Sequence, residues 1–348
     1  MRVSVDGLKN FCTEVLKKNS IPEAEAEVIA DSLVDANVIG VDSHGVTRLA
    51  DYLKRLDDGI INRRTIMERI RENETIALFD ANNGWGQYAG KIAMFEAIKK
   101  AKRYGISAVG VMNSNHFGTA SYFTKMAAEE DCIGIAMCNT TPIMVAWGSS
   151  EPTLGTNPLS IAVPTNKYPV VLDMATSNAA RGKINLAAKK GEEIPLGWAI
   201  TKDGKNTTNA VEALEGFLLP LGPKGSGLAM MIDILSGVLT GALFGRDIPR
   251  MYDDKEPQRL GHLFIAIHVE SFMDMETFKQ RMESRIEQTL TSKPAEGFDQ
   301  VYMPGDIEQL NAEKHMLAGL TLPRAIYEEL KELGNQFGVA IEEIVIEK

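Results

Sequence analysis

Between residues 75 and 173 the chain switches repeatedly between two hydrophobic periods, and this alternation limits what it can fold into more than any other feature. Thr75-Ile76-Ala77-Leu78-Phe79 and Ala108-Val109-Gly110-Val111-Met112 read as strands, separated by an amphipathic helix from about 87 to 104. A helix at 119–130 leads to the strand Ile133-Gly134-Ile135-Ala136-Met137. A loop-rich stretch at 139–158 then leads to strands near 159–163 and 169–173. Apolar runs of strand length interleaved with helix-period segments predict helices laid on a sheet.

The ends of the chain read differently. The first seventy residues predict three helices: Pro22 follows Ser20 as a start, Val28, Leu33 and Val34 form an apolar stripe, and Gly40 stops it before Asp42-Ser43 caps the next. A helix is expected at about 178–190, then a Gly/Pro/Thr-rich stretch at 191–209 carrying Trp198, then a long apolar helix opened by Lys224-Gly225 and ending near Ala242. Beyond 304 the tail is helical and charged. There is no internal repeat. The fold class expected is α/β (α+β) with helical ends.

At 348 residues the chain is long for one core, so two interleaved domains are expected. With 44% apolar and 24% charged residues it reads as soluble and globular. A net charge of −10 offers no basic footprint for nucleic acid or an anionic membrane. An anionic substrate must be drawn in by local groups, with Arg48 and Lys224 as candidates. The N-terminus lacks a long apolar stretch and no apolar run reaches about 18 residues, which makes the cytoplasm the expected location. Cys12, Cys132 and Cys138 lie in apolar segments without Cys-x-x-Cys spacing and read as buried free thiols. His262 and His268 share strand parity but would stand about 20 Å apart, and His315 lies in a polar stretch. No catalytic metal is expected. The sixteen methionines, the adjacent Met230 and Met231 included, read as core filling.

Two histidines sit beside glycine where an element begins or ends: Ser43-His44-Gly45 and Asn115-His116-Phe117-Gly118. An imidazole titrates near neutral pH and glycine lets a ligand approach it. His44, Arg48 and Tyr52 recur every fourth residue and would share one helix face, offering a proton shuttle, a carboxylate fork and a hydroxyl. The competing reading is a capped surface helix with an incidental histidine. Asp51 and Arg55, on another face, read as a solvated pair.

Gly84-Trp85-Gly86-Gln87-Tyr88-Ala89-Gly90 imitates a dinucleotide fingerprint. The next strand, however, supplies no acidic residue for a ribose, and Trp85 would crowd a pyrophosphate. A helix-start turn accounts for it better. Gly222-Pro223-Lys224-Gly225-Ser226-Gly227 places three free backbone N–H groups and a lysine at a helix start, which suits phosphate. A tight turn into a buried helix explains the same residues equally well. Asp173-Met174-Ala175-Thr176-Ser177 follows a strand, where ligands of α/β sheets gather, although Thr176 or Ser177 could simply cap a helix.

Taken in order, Ser43-His44-Gly45-Val46-Thr47-Arg48, Asn113-Ser114-Asn115-His116-Phe117-Gly118, Gly155-Thr156-Asn157-Pro158, Asp173 to Ser177 and Gly222 to Gly227 resemble the malate/L-lactate dehydrogenase type 2 family. Phe244-Gly245-Arg246, Met251-Tyr252-Asp253-Asp254 and Gly297 to Tyr302 look most like its ureidoglycolate dehydrogenase branch. The likeness runs from about residue 5 to about 310. It implies a non-Rossmann nicotinamide-binding domain on a mostly antiparallel sheet, beside a helical domain formed by both termini. The boundaries expected are 1–74 for the first helical part, 75–305 for the cofactor- and substrate-binding region, and 306–348 for the returning tail. The resemblance implies NAD as cofactor, with NADP not excluded, and a homodimer or an assembly of dimers.

Its site residues follow by the same resemblance. His116 is the acid/base with His44 as rival. Ser43, Arg48, Tyr52 and Thr141 hold substrate; Thr140, Asp173, Met174, Ala175, Lys224, Gly225, Pro304, Gly305 and Asp306 hold cofactor. The activity implied is oxidation of (S)-ureidoglycolate to oxalurate in allantoin catabolism, with malate, L-lactate or another 2-oxo acid as the alternative. A non-catalytic dinucleotide-binding protein is the remaining reading.

Overall fold

The computed structural model describes residues 1–251 and 256–347. A seven-stranded sheet carries the molecule, in the spatial order Glu68–Glu72, Ile76–Asp80, Ile106–Ser114, Leu260–His268, Cys132–Cys138, Leu159–Val163 and Val170–Met174. Every neighbouring pair is antiparallel except Ile76–Asp80 with Ile106–Ser114, which the helix Gly86–Tyr104 connects. A parallel pair needs such a crossover, whereas antiparallel strands need only turns. The strand Leu260–His268 returns from far along the chain and inserts between two strands that precede it by more than a hundred residues.

Helices Gly86–Tyr104 and Ser121–Glu129 cover one face, where Phe79, Ala89, Ala93, Met94, Phe123 and Phe264 form a core. The alanine-rich face of the first helix lets it lie close against the strands. On the other face Ile232 packs with Met137 and Leu263. A small sheet, Ala199–Ile200, Phe217–Leu218, Met144–Val145 and Pro152–Leu154, has its own core around Met144, Ile184 and Leu218.

The termini share a third core. Leu8, Phe11, Leu33 and Leu49 pack with Leu320, Tyr327, Leu330 and Ile341. Strand Arg2–Val3 lies between Leu320–Thr321 and Val345–Glu347 and stitches the two ends together. Among the described residues no helix is long and apolar enough to cross a membrane.

The elements depart from expectation in four places. Helices Val5–Lys18, Glu23–Val38 and Leu49–Asp57 are the three expected, but residues 42–48 form two 3₁₀ turns, Asp42–His44 and Val46–Arg48, instead of the start of the third. Buried Asn37 causes this: its Oδ1 accepts the Val46 N–H at 2.8 Å and its Nδ2 donates to Asp42 at 2.6 Å. The apolar helix from Gly222 ends at Asp233 and continues as a π-helical turn, Ile234–Val238. Met230 and Met231 on it are 47% and 51% exposed, so core filling does not explain them. Helix Met275–Leu290 was not anticipated, because its half-covered residues Phe278, Met282 and Ile286 are diluted by charged neighbours.

Candidate active site

The strand Ile106–Ser114 delivers Asn115-His116-Phe117-Gly118 to the edge of the helical ends. Asn115 fixes the turn by donating from Nδ2 to the Gly84 carbonyl and to Asn83, each at 2.9 Å. Phe117 turns inward and stacks on His262, ring centroids 4.7 Å apart and planes 8° from parallel. His116 faces the opposite way, into a cavity.

From the other side, the turns at 42–48 bring His44 over it. The two imidazoles stack with centroids 5.4 Å apart. Ser43 Oγ lies 3.0 Å from His44 Nδ1, and Arg48 Nε donates to the Ser43 carbonyl at 2.7 Å. Thus His44, Arg48 and Tyr52 do converge, although through a pair of turns and a helix start and not through one continuous face.

Burial makes protonation of either imidazole costly. It pushes His44 down to about 4, with Arg48 adding to the effect. His116 is pushed well below the ordinary imidazole value by burial first, then by His44, Arg48, His262 and Arg55. Both rings therefore stand neutral at pH 7, each with one nitrogen lone pair free of hydrogen.

The cavity has a volume of about 1090 Å³, above the range of about 300–1,000 Å³ usual for single-ligand pockets, which leaves room for a dinucleotide and a small acid together. Ser43, His44, Arg48, His116, Thr140 and Thr141 line one part of it, and Asp173, Met174, Ala175, Pro304 and Gly305 another. Thr140 lines the cavity, while its Oγ1 is turned into the protein beside Gly155, without a hydrogen-bond partner among the described residues. Asp173 is open to the cavity but hemmed by protein, which pushes its carboxyl up to about 6 against the Ser121 N–H that donates to it at 2.7 Å. Gly305, at φ +93°, has no room for a side chain, whose Cβ would fall 3.0 Å from the Val171 carbonyl oxygen. An open carboxylate and a bare glycine turn on the wall of a cavity this large fit a nicotinamide dinucleotide.

Other expected residues lie off the cavity wall or have their polar atoms already engaged. Tyr52 is 1% exposed and lies behind His116, off the cavity wall. Thr141 Oγ1 already donates to the Pro249 carbonyl at 3.0 Å and receives Gln258 Nε2 at 3.1 Å. Asp306 starts the helix Asp306–Ala318, accepting from the Met303 N–H at 2.7 Å and from the Tyr168 hydroxyl at 3.2 Å. Lys224 is exposed and neither it nor Gly225 lines the cavity, though Gly225 packs on the Thr176 carbonyl beside the Asp173 segment. Arg55 is not solvated as its spacing implied: it is 5% exposed and donates to the Met251 carbonyl at 2.6 Å. Tyr252, Asp253 and Asp254 lie outside the described residues.

Three lining residues went unnoticed in the sequence. Arg181 precedes Gly182, which packs beside Ser43, and Arg250 sits between Pro249 and Met251 next to Thr141. Gln258, 3% exposed, keeps a buried Oε1 without a partner among the described residues. All three lie in irregular segments or at an element edge, where no periodicity marks them.

A stacked imidazole pair, arginines and a dinucleotide-sized cavity on a mostly antiparallel sheet are the equipment of a non-Rossmann dehydrogenase. The malate/L-lactate dehydrogenase family model matches residues 3–331, and the chain belongs to that family. It is therefore an oxidoreductase that uses a nicotinamide dinucleotide, NAD or NADP. It is similar to the L-sulfolactate dehydrogenase of Methanocaldococcus jannaschii, 43% identical over 97% of each chain. It is 37% identical to the ureidoglycolate dehydrogenase (NAD(+)) of Escherichia coli strain K12, over 95% of each. The crystal structure of malate dehydrogenase from Entamoeba histolytica superposes with a TM-score of 0.94 at 35% identity, covering 97% of this chain and 98% of that one. The ureidoglycolate likeness of the later segments is thus not matched by a higher identity over the whole chain.

Proposed function

We propose that the protein interconverts 2-hydroxy acids and 2-oxo acids with NAD, and that its preferred substrate carries a second anionic group. The observation that carries this reading is the gathering of Arg48, Arg181 and Arg250 in the cavity that His44 and His116 line. Arginine pairs with carboxylates and sulfonates through parallel N–H bonds, so three of them suit a substrate with two acidic ends. Malate and sulfolactate, which name two of the relatives, are such dianions.

Bound nicotinamide supplies the hydride acceptor. The protein's share is positioning and proton transfer. As the C2–H bond gives up its hydride, the substrate hydroxyl proton passes to His116, which is neutral and so able to receive it. His44, stacked on it, stays neutral and closes the pocket. Asp173, with Glu308 also lining the cavity, would accept from ribose hydroxyls and repel the additional phosphate of NADP, whereas Asp35 on the same wall is paired with Lys125 at 2.8 Å.

A second reading rests on Gln258. Its Oε1 is buried without a partner among the described residues, and a turn of the side chain toward the cavity would present this acceptor to a ureido N–H, a donor that a dianion lacks. Ureidoglycolate, in allantoin catabolism, is the substrate that fits it. Rates with malate, L-lactate, sulfolactate and ureidoglycolate, each with NAD and NADP, separate the two. Highest kcat/KM on a dianion with NAD is the expected result, ureidoglycolate in first place establishes the second reading, and no turnover of any of them refutes both.

The exposed apolar row Met230, Met231, Ile234, Val238 and Leu239, 42% to 65% accessible, supports a homodimer. Sedimentation of Leu239→Lys against the parent measures it.

A further inference from the structure

We propose that Tyr52, backed by Gln87, is a positioning residue that fixes the tautomer of His116. Its hydroxyl oxygen accepts the hydrogen on Nδ1, its own hydrogen goes to Gln87, and Nε2 is left bare toward the substrate. The inference rests on the reading of His116 as the proton acceptor.

Tyr52 Oη lies 2.7 Å from His116 Nδ1. A neutral imidazole carries one hydrogen, so the partner at one nitrogen decides the state of the other. Two groups face Nδ1. The Gly118 N–H, 3.4 Å away, can only donate. Left to that contact, Nδ1 would be the acceptor and the hydrogen would sit on Nε2, occupying the lone pair that must receive the substrate's proton. Tyr52, at the shorter distance, can reverse this if its own O–H has another acceptor.

Gln87 supplies one. It is 1% exposed, lies against the Tyr52 hydroxyl, and its amide nitrogen has no hydrogen-bond partner among the described residues. Turning the amide end for end leaves the shape of the side chain unchanged and presents the carbonyl oxygen to the hydroxyl. That gives the Tyr52 O–H an acceptor and sets the direction of the chain: His116 Nδ1–H to Tyr52, Tyr52 O–H to Gln87.

Tyr52 keeps its proton throughout, since burial pushes its ionisation above the ordinary tyrosine value. The charged and titratable groups facing His116 are His44, Arg48, Arg55 and His262, and those facing Tyr52 are Arg48, Asp51 and Arg55. None of the four around His116 carries negative charge, so the Tyr52 oxygen is the acceptor beside Nδ1 once the ring is protonated. The expected place of Tyr52 among the substrate ligands gives way to this one, because it is off the cavity wall.

The test uses the full-length protein labelled with ¹⁵N-histidine, whose ring nitrogen shifts report which nitrogen carries hydrogen without any turnover. Above the ordinary imidazole pKa, His116 should carry its hydrogen on Nδ1 in the parent and on Nε2 in Tyr52→Phe. In the same variant kcat should fall by about 10²-fold, the scale of a lost acid–base contribution, with KM and NADH affinity unchanged and the acid limb of kcat/KM moved to lower pH. Gln87→Met should change tautomer and kcat in the same direction. Hydrogen on Nε2 in the parent, a tautomer indifferent to Tyr52→Phe, or a loss confined to KM overturns the proposal. Full turnover by His116→Ala would instead refute His116 as the base, a failure the spectra distinguish from a wrong tautomer.

Discussion

Gly86 and Asn115 approach each other more closely than any other residue at position 86 would allow. A Cβ there would lie 2.1 Å from the Asn115 carbonyl oxygen and 2.5 Å from that of His116. Glycine at this helix start lets helix Gly86–Tyr104 abut the backbone that carries the proton acceptor. The apparent fingerprint at 84–90 is thus a packing device and not a pyrophosphate turn.

Gly86→Ala should therefore act on His116 and not on cofactor. Overpacking of this kind costs about 1–3 kcal/mol. Urea unfolding should show that loss, and kcat should drop while the Kd for NADH, followed by fluorescence, stays near the parent value. A selective loss of NADH affinity would restore the fingerprint.

Arg48→Lys should lose more than a substrate contact. The lysine keeps the charge but not the Nε that holds the Ser43 carbonyl at 2.7 Å, so His44 loosens as well. Removing a hydrogen bond to a charged group costs about 1.5–3 kcal/mol, roughly 10- to 150-fold in kcat/KM. Steady-state kinetics should place most of the loss in KM for the hydroxy acid, and amide analogues lacking the carboxylate should discriminate far less between variant and parent.

Acid should destabilise the fold through its buried imidazoles. His44, at about 4, and His262, at about 3, bind protons more weakly folded than unfolded, and His116 follows the same direction. The unfolded chain therefore takes up more protons as pH falls, so this stability is complete above about 6.5 and is lost as pH drops toward the folded values. Asp173, raised from 3.8 to about 6, works the opposite way across that interval. His262→Phe keeps a flat ring against Phe117 and removes one of these groups. Its Tm should fall less than that of the parent between neutral pH and about pH 4, and parallel curves would show that His262 contributes nothing to the acid response.

Much of this was legible beforehand where side chains repeat locally. The strands near 76, 108, 133, 159 and 170 and the helices between them announced themselves through period. So did the histidine–glycine clusters, whose residue types suit proton transfer. What was not legible depends on contacts distant in sequence. Asn37 reaching nine residues ahead to Val46 winds the 42–48 turns. The central strand Leu260–His268 enters the sheet after an excursion that no periodicity reports. Arg55 looked solvated because the Met251 carbonyl that receives it lies 196 residues away. Tyr52 was sorted with the substrate ligands because spacing shows which residues share a face, not what stands between them and the cavity.

The central claim is that His116 receives the substrate proton during hydride transfer, and reduced-nicotinamide absorbance in His116→Ala tests it most directly. With the preferred hydroxy acid and NAD, kcat should fall about 10²- to 10⁴-fold while NADH still binds with near-parent affinity. Near-parent kcat in His116→Ala, with the loss appearing in His44→Ala instead, would contradict the assignment and give the role to the other ring of the stack.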